Sequence, residues 1–217
     1  MDNGNCNIVI TIGRQFGSGG REFGKLLSES LGIAYYDKEL LCEAAKSAGV
    51  NLKFFERSDE KCPSFLSGVF PFTVGYTPMV GYVEPTSISD DGIYRAQSDF
   101  IRSIADNKSC VIVGRSADYI LRDHPRCINI FVHAPIEECV KRMLSRGDKT
   151  DDEQARAMAE KTNKLRSNYY NFYTDKAWGD ARSYDLTFDS SKLPMTKMVE
   201  VVKEYIKHRF GVEFSKI

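Results

Sequence analysis

Residues 8–24 read Ile-Val-Ile-Thr-Ile-Gly-Arg-Gln-Phe-Gly-Ser-Gly-Gly-Arg-Glu-Phe-Gly. A β-branched run ends in a glycine-dense loop, and the loop opens straight into a helical pattern. Glycines let backbone N–H groups turn inward and approach a phosphate closely. The helix that follows aims its positive end at the same spot. Gly13, Gly17, Gly19 and Gly20 fall within eight residues, more than a tight turn needs. The plainer reading is a strand-to-helix turn whose glycines serve packing alone.

The loop runs Gly19-Gly20-Arg21 where a lysine-bearing phosphate loop runs Gly-Lys-Ser/Thr. Arg21, in the first helical turn, is the first candidate for the missing cation. It offers a planar fork in place of a point charge. Arg14, at the front of the loop, is the second. Either arginine has an alternative as a surface ion pair, for Arg21 with Glu22 or Asp37. Candidate phosphate contacts are therefore Gly13, Arg14, Gly17, Ser18, Gly19, Gly20 and Arg21.

Strand-like and helix-like segments alternate along the 217 residues. Strands are expected at 7–12, 33–36, 110–113, 127–132 and 184–189. Helices are expected at 20–31, 37–47, 92–107, 135–146, from 150 onward, and 194–209. Asp37 is placed to cap the second helix, and Thr150-Asp-Asp-Glu153 reads as a capping box. Ala155, Met158, Ala159, Thr162, Leu165, Tyr169 and Phe172 form the expected apolar stripe of the long helix. Such alternation implies a parallel sheet covered on both faces, with ligands at the carboxyl ends of its strands. The Gly13–Arg21 loop, Asp37 and Gly114-Arg115 all follow strands at that edge.

Charge is balanced, 30 basic residues against 30 acidic, so no nucleic-acid or membrane field is expected. The six cysteines form no CxxC pair, and Cys110 and Cys127 sit in apolar runs. That usage, with a polar N-terminus, points to a reducing cytoplasm. His124, His133 and His208 are isolated and suggest no metal cluster. Pro63–Val83 carries no charge but five aromatic residues. Its three prolines and three glycines argue against a membrane span. It reads as a flap over the substrate, a surface for homo-oligomer formation, or a loop folded on the core.

Four stretches together resemble the cytidylate kinase-like branch of the P-loop nucleoside monophosphate kinases. They are Ile12–Glu22, Tyr35-Tyr-Asp-Lys-Glu-Leu40, Val111-Ile-Val-Gly-Arg-Ser-Ala-Asp-Tyr-Ile-Leu121 and Tyr184-Asp-Leu-Thr-Phe-Asp-Ser190. The resemblance implies a three-layer P-loop NTPase fold: one α/β domain over 1–217 with a five-stranded parallel sheet and helices on both faces. It also implies a substrate-side insertion, about 54–92, and an arginine-rich helical lid, about 142–170. ATP would be the phosphate donor and Mg2+ its companion, with Ser18 the nearest hydroxyl for the metal. Arg21, Arg142, Arg146 and Arg166 would act on the transferred phosphoryl group. Arg142 and Arg146 lie one helical turn apart before Gly147, a hinge candidate. Asp37 and Arg115 would hold the acceptor, CMP, dCMP or a related small molecule, with Arg182 a further candidate. Asp37 has the alternative of simple capping.

Two departures stand beside the resemblance. Cytidylate kinases carry Gly-Arg-Asp after the third strand, and here the run is Gly114-Arg115-Ser116. Their later Arg/Asp cluster, which reads the acceptor, is Leu165-Arg-Ser-Asn-Tyr-Tyr170 in this chain, so aromatic residues stand where the resemblance puts the reading of base and sugar. The rival functions are a kinase for a non-nucleotide small acceptor and an inactive nucleotide-binding or scaffolding protein that lost the lysine.

Overall fold

Successive residues of a strand face opposite sides of a sheet, and here that alternation builds two cores. In the computed structural model, which describes residues 7–47, 90–146 and 151–213, strand β1 is Val9–Arg14. Ile10 and Ile12 point to one face and Val9 to the other. In β3 (Cys110–Val113), Val111 and Val113 join the first face, and Cys110 and Ile112 join the second. Strand β2 is Ala34–Tyr36, β4 is Cys127–His133 and β5 is Leu186–Asp189. All four pairings are parallel, in the order β2-β3-β1-β4-β5.

Helix α1 (Gly20–Leu31) buries Phe23, Leu27 and Leu31 on the first face. It ends at Gly32, whose φ of 64° lets the chain reverse while Gly32 and Ile33 donate back to Glu29 and Ser28. Beside it lies the last helix, α7 (Met195–Phe210), with Met198, Val202 and Ile206 buried. The second face is covered by α2 (Lys38–Ser47), α3 (Asp90–Asn107) and the single turn α4 (Ala117–Ile120). A third, smaller cluster joins α5 (Ile136–Ser145) to the long α6 (Asp152–Thr174) through Val140, Met143, Ala155 and Ala159. The architecture is a three-layer α/β fold with a five-stranded parallel sheet, as the resemblance implies.

Three expectations need correction. Asp151, not Thr150, caps α6, accepting from Gln154 N–H at 2.8 Å, because its carboxylate reaches the free N–H of the first turn. The apolar stripe of α6 is not continuous. Met158 and Phe172 are exposed, while Ala155, Ala159, Tyr170 and Thr174 are buried, since α5 covers only the first turns. The last strand begins at Leu186, because Ala181–Ser183 forms a 3-10 turn just before it. The Pro63–Val83 segment and most of the 54–92 insertion lie outside the described residues, as do 147–150 of the lid. No helix among the described residues is long and apolar enough to cross a membrane.

Gly24 shows how closely α1 sits on the sheet. A Cβ there would lie 2.9 Å from Val113 Cγ2 and 3.0 Å from Ile12 Cδ1. Gly24→Ala would gain about 1 kcal/mol of helix propensity. Overpacking of about 1–3 kcal/mol opposes it. The expected result is a net loss of about 1 kcal/mol in urea denaturation, against the helix scale alone.

Candidate active site

The β1–α1 loop is tied down at nearly every residue. Gln15 N–H donates to Val132 O at 3.0 Å, and its side-chain carbonyl accepts from Ala134 N–H. Phe16 N–H donates to Asn163 Oδ1 of α6 at 2.7 Å. Ser18 is fully buried, and its hydroxyl donates to Gln15 O at 2.9 Å. Gly17 and Gly19 have φ of 76° and 82°. A Cβ on Gly17 would lie 2.8 Å from Cys139 O of α5. The loop therefore meets α5 directly through its missing side chains. Gly19 caps α1 without any side-chain hydrogen bond. The first N–H groups of that helix have no partner within it and suit an anion.

Two arginines of the expected lid reach this loop, and a third reaches the helix that follows it. Arg142, from α5, donates from Nη1 to Gly17 O and to Ser190 Oγ, both at 3.2 Å. The Ser190 hydroxyl in turn donates to Ser18 O at 2.6 Å. Arg166, from α6, donates to Arg14 O at 3.2 Å and lies over the Phe16 ring. Arg146, at the end of α5, pairs with Glu22 in the first turn of α1 at 2.6 Å.

Arg21 takes another course. Its Nε donates to Asp37 Oδ2 and its Nη2 to Glu39, both at 2.9 Å. Asp37 is nearly buried and also caps α2 through Leu40 N–H at 3.1 Å. Burial opposes the Asp37 charge, but the Leu40 N–H and the Arg21 guanidinium outweigh it and hold the carboxyl below its usual range. Both alternatives weighed for these residues, ion pair and cap, are thus present in one contact. Arg182 is bound by its neighbour Asp180 at an exposed turn and does not line the cleft.

Beside the loop, at the carboxyl ends of β1 and β3, lies a cleft lined by Gly13, Arg14, Lys38, Gly114, Arg115 and Arg166. Gly114, Arg115 and Ser116 all have positive φ, at 82°, 63° and 50°. Left-handed backbone at non-glycine residues gathers where geometry serves a ligand. The buried Ser116 hydroxyl has no hydrogen-bond partner among the described residues.

The far wall is aromatic and includes Tyr169 and Tyr170, the pair that replaces the charged cluster of cytidylate kinases. Tyr169, Tyr170, Trp178 and Tyr184 line it, and Phe131 packs edge-on to Trp178 at 5.3 Å. Gly13 makes room for this wall, since a Cβ there would lie 2.8 Å from Phe131 Cδ2. Asp118 also lines the cleft and accepts from Tyr170 Oη at 2.6 Å. Desolvation pushes the Asp118 carboxyl up, and the Tyr170 hydrogen bond moderates the rise. Asp118 lies in the Val111–Leu121 stretch that carries the resemblance, and it lines the cleft together with Arg115.

The uncapped start of α1 fits the phosphates of a nucleotide. A magnesium ion fits less well. Ser18 turns its hydroxyl inward, and among the described residues no cluster of three His, Cys, Asp or Glu could hold a metal.

A phosphate-type glycine loop at the carboxyl edge of a β2-β3-β1-β4-β5 sheet, overhung by arginines from two helices, defines a P-loop kinase-type protein. The chain belongs to the cytidylate kinase-like family, whose model matches residues 9–192. It is similar to the cytidylate kinase of Methanosarcina barkeri (strain Fusaro / DSM 804), 27% identical over 214 residues, covering 94% of this chain and 99% of that one. A solved structure of an uncharacterized protein from Eubacterium ventriosum ATCC 27560 shares 32% identity at a TM-score of 0.69, covering 94% of this chain and all of that one (100%). Shikimate kinase from Bacteroides thetaiotaomicron, 11% identical with a TM-score of 0.53 over 92% of this chain and 98% of that one, shares the fold alone.

Two predictions follow from this geometry. Ser116→Gly removes a left-handed side chain and a buried unpartnered hydroxyl. It is expected to raise stability by about 0.5–1 kcal/mol in urea denaturation, after the entropy of glycine is subtracted. Asp37→Asn keeps the cap but loses the ion pair, an expected loss of about 1 kcal/mol at neutral pH, since Arg21 is largely exposed. The folded carboxyl lies below its ordinary value, so its contribution is present above a pH of about 3.9 and fades as pH falls further. The stability gap between wild type and variant should therefore close on acidification through that range. A gap that widened instead would rule out the ion pair as its source.

Proposed function

We propose that the protein is an ATP-dependent phosphotransferase acting on CMP, dCMP or a related small acceptor. The observation that carries the reading is the arrival of Arg142 and Arg166 at one glycine loop, and of Arg146 at the first turn of the helix after it, beside a cleft that contains Arg115. In phosphoryl transfer the protein does little covalent chemistry. It positions two substrates and neutralises the charge that spreads over the moving group.

In this reading the Gly17–Gly20 backbone and the start of α1 receive the donor phosphates. Arg115 receives the anionic group of the acceptor, and the aromatic wall receives its flat or apolar part. Asp118 accepts a hydrogen bond from the acceptor, while Asp37 keeps α2 and Arg21 in register with the loop. Arg142, Arg146 and Arg166 supply positive charge as the lid closes. Magnesium would arrive on the donor phosphates and neutralise part of their charge; no step here depends on a protein ligand for it.

A kinase for a non-nucleotide acceptor is the second reading. It is favoured by the Asp118–Tyr170 pair, which suits a hydroxyl-bearing molecule as well as a nucleoside. The buried free thiols favour the cytoplasm: Cys110 and Cys127 are pushed up to about 12 by burial and stay protonated.

The test is phosphoryl transfer from ATP with magnesium across CMP, dCMP, UMP, AMP and GMP. Turnover of CMP or dCMP is expected. Arg166→Ala should lower kcat by about 10²-fold or more. Arg115→Ala should raise the acceptor KM and leave ATP affinity within about threefold, a difference under 1 kcal/mol. ATP binding with no turnover of any of the five acceptors would move the reading to a non-nucleotide acceptor.

A further inference from the structure

Gly20 stands where a lysine-bearing loop has its lysine, so the charge that acts on the transferred phosphoryl group must come from elsewhere. Arg21 follows directly, but its guanidinium is bound by Asp37 and Glu39. Arg14 is placed differently. A Cβ on Gly20 would lie 2.5 Å from Arg14 Cβ and 3.1 Å from Arg14 Cγ. The stem of Arg14 thus occupies the space that a side chain at position 20 would need. At its other end, the Arg14 guanidinium fills the place of a Cβ on Gly114, whose position is also 2.9 Å from Arg14 Cζ.

Arg14 therefore lies in a trough walled by two glycines. The trough runs from the β1–α1 loop to the turn after β3, where Arg115 begins the opposite side of the cleft. The root of Arg14 is fixed as well, because its carbonyl accepts from Arg166. Its guanidinium lines the cleft. Each glycine leaves room for a different end of the same arginine, and Gly114 also adopts a φ of 82° that favours glycine.

We infer that Arg14, rather than Arg21, is the catalytic cation that replaces the lysine of the phosphate loop, bridging the donor loop and the acceptor turn. The inference rests on the phosphotransferase reading above. In the step, the bond from the γ-phosphorus to the β–γ bridging oxygen breaks. A bond from the same phosphorus to an acceptor oxygen forms, and the electron pair leaves with the nucleoside diphosphate. Arg14 keeps its proton throughout and contributes two N–H donors in a fixed fork to the oxygens of the moving group.

The experiment compares Arg14→Met, Arg14→Lys and Arg21→Ala by ATP titration and by turnover of the best acceptor, with thermal unfolding to confirm that each folds. Methionine keeps an apolar stem in the trough and removes the fork. Arg14→Met is expected to lower kcat by about 10²-fold, the scale for losing one transition-state donor. Arg14→Lys should recover about tenfold of that, and Arg21→Ala should stay within about tenfold of wild type, under 1.4 kcal/mol.

Should the enzyme bind ATP without turnover, the same ranking is read from ATP affinity. Arg21→Ala losing more than Arg14→Met, or Arg14→Lys recovering nothing of the Arg14→Met loss, overturns the assignment and leaves the phosphotransferase reading standing. Failure of wild type to bind ATP and to turn over any acceptor overturns both.

Discussion

The constraint on which the site depends is the distance of closest approach between backbones. Helix α5 touches the phosphate loop where Gly17 meets Cys139, and a single methyl group there would collide with a main-chain oxygen. That contact brings Arg142 to within hydrogen-bond reach of Gly17 O and Ser190. On the other side of the loop, Gly24 lets α1 settle against Val113 and Ile12, fixing where the helix starts and where its N–H groups point. The loop is held from both sides by atoms that are missing. Its shape is a consequence of tertiary contact, and the glycines are its price in chain entropy.

Charge follows from that placement. Five arginines stand around one loop, and each has a defined partner before any substrate is considered. Arg142 and Arg166 are bonded to loop carbonyls, Arg146 to Glu22, Arg21 to Asp37 and Glu39, while Arg14 lies between two glycines. Main-chain carbonyls and half-exposed carboxylates are weaker partners for a guanidinium than a phosphate that offers two oxygens at once. An entering phosphate can therefore take over these donors without leaving a buried charge unpaired. The exception is the Arg21–Asp37 pair: Asp37 is nearly buried, and removing its partner would strand a carboxylate in the protein. That asymmetry separates arginines available to a substrate from one that organises the frame.

Much of this was legible in the chain because its signals are local. The β-branched run before Gly13 and the face formed by Phe23, Leu27 and Leu31 show the strand and helix, and the alternation of such units shows the parallel sheet. Asp37 as a cap was legible for the same reason. The direction of Arg21 was not, since nothing in Gly20-Arg21-Glu22 says which of two neighbouring carboxylates will lie within reach. The stripe of α6 misled because amphipathic spacing assumes a partner along the whole helix, and α5 is shorter. The contact between Asp118 and Tyr170 was not legible because they are separated by 52 residues and meet only when α6 crosses the turn after β3.

The turn after β3 concentrates features that no folding argument favours. Arg115 and Ser116 each occupy the left-handed region at about 1–2 kcal/mol. The Ser116 hydroxyl is buried without a partner among the described residues, and Asp118 holds its carboxyl in a desolvated place where ionisation is opposed. A sequence shaped by stability alone would place glycine at 116 and an apolar residue at 118. The β1, β3 and β4 strands beneath, whose buried residues are apolar but for Thr11, supply the stability that tolerates this turn. The unfavourable terms all lie in one turn that lines the cleft: a buried hydroxyl without a partner among the described residues, a raised carboxyl and a left-handed backbone. In the proposed function this turn is half of the binding site, and the cost of its backbone belongs to that role rather than to the connection between a strand and a helix.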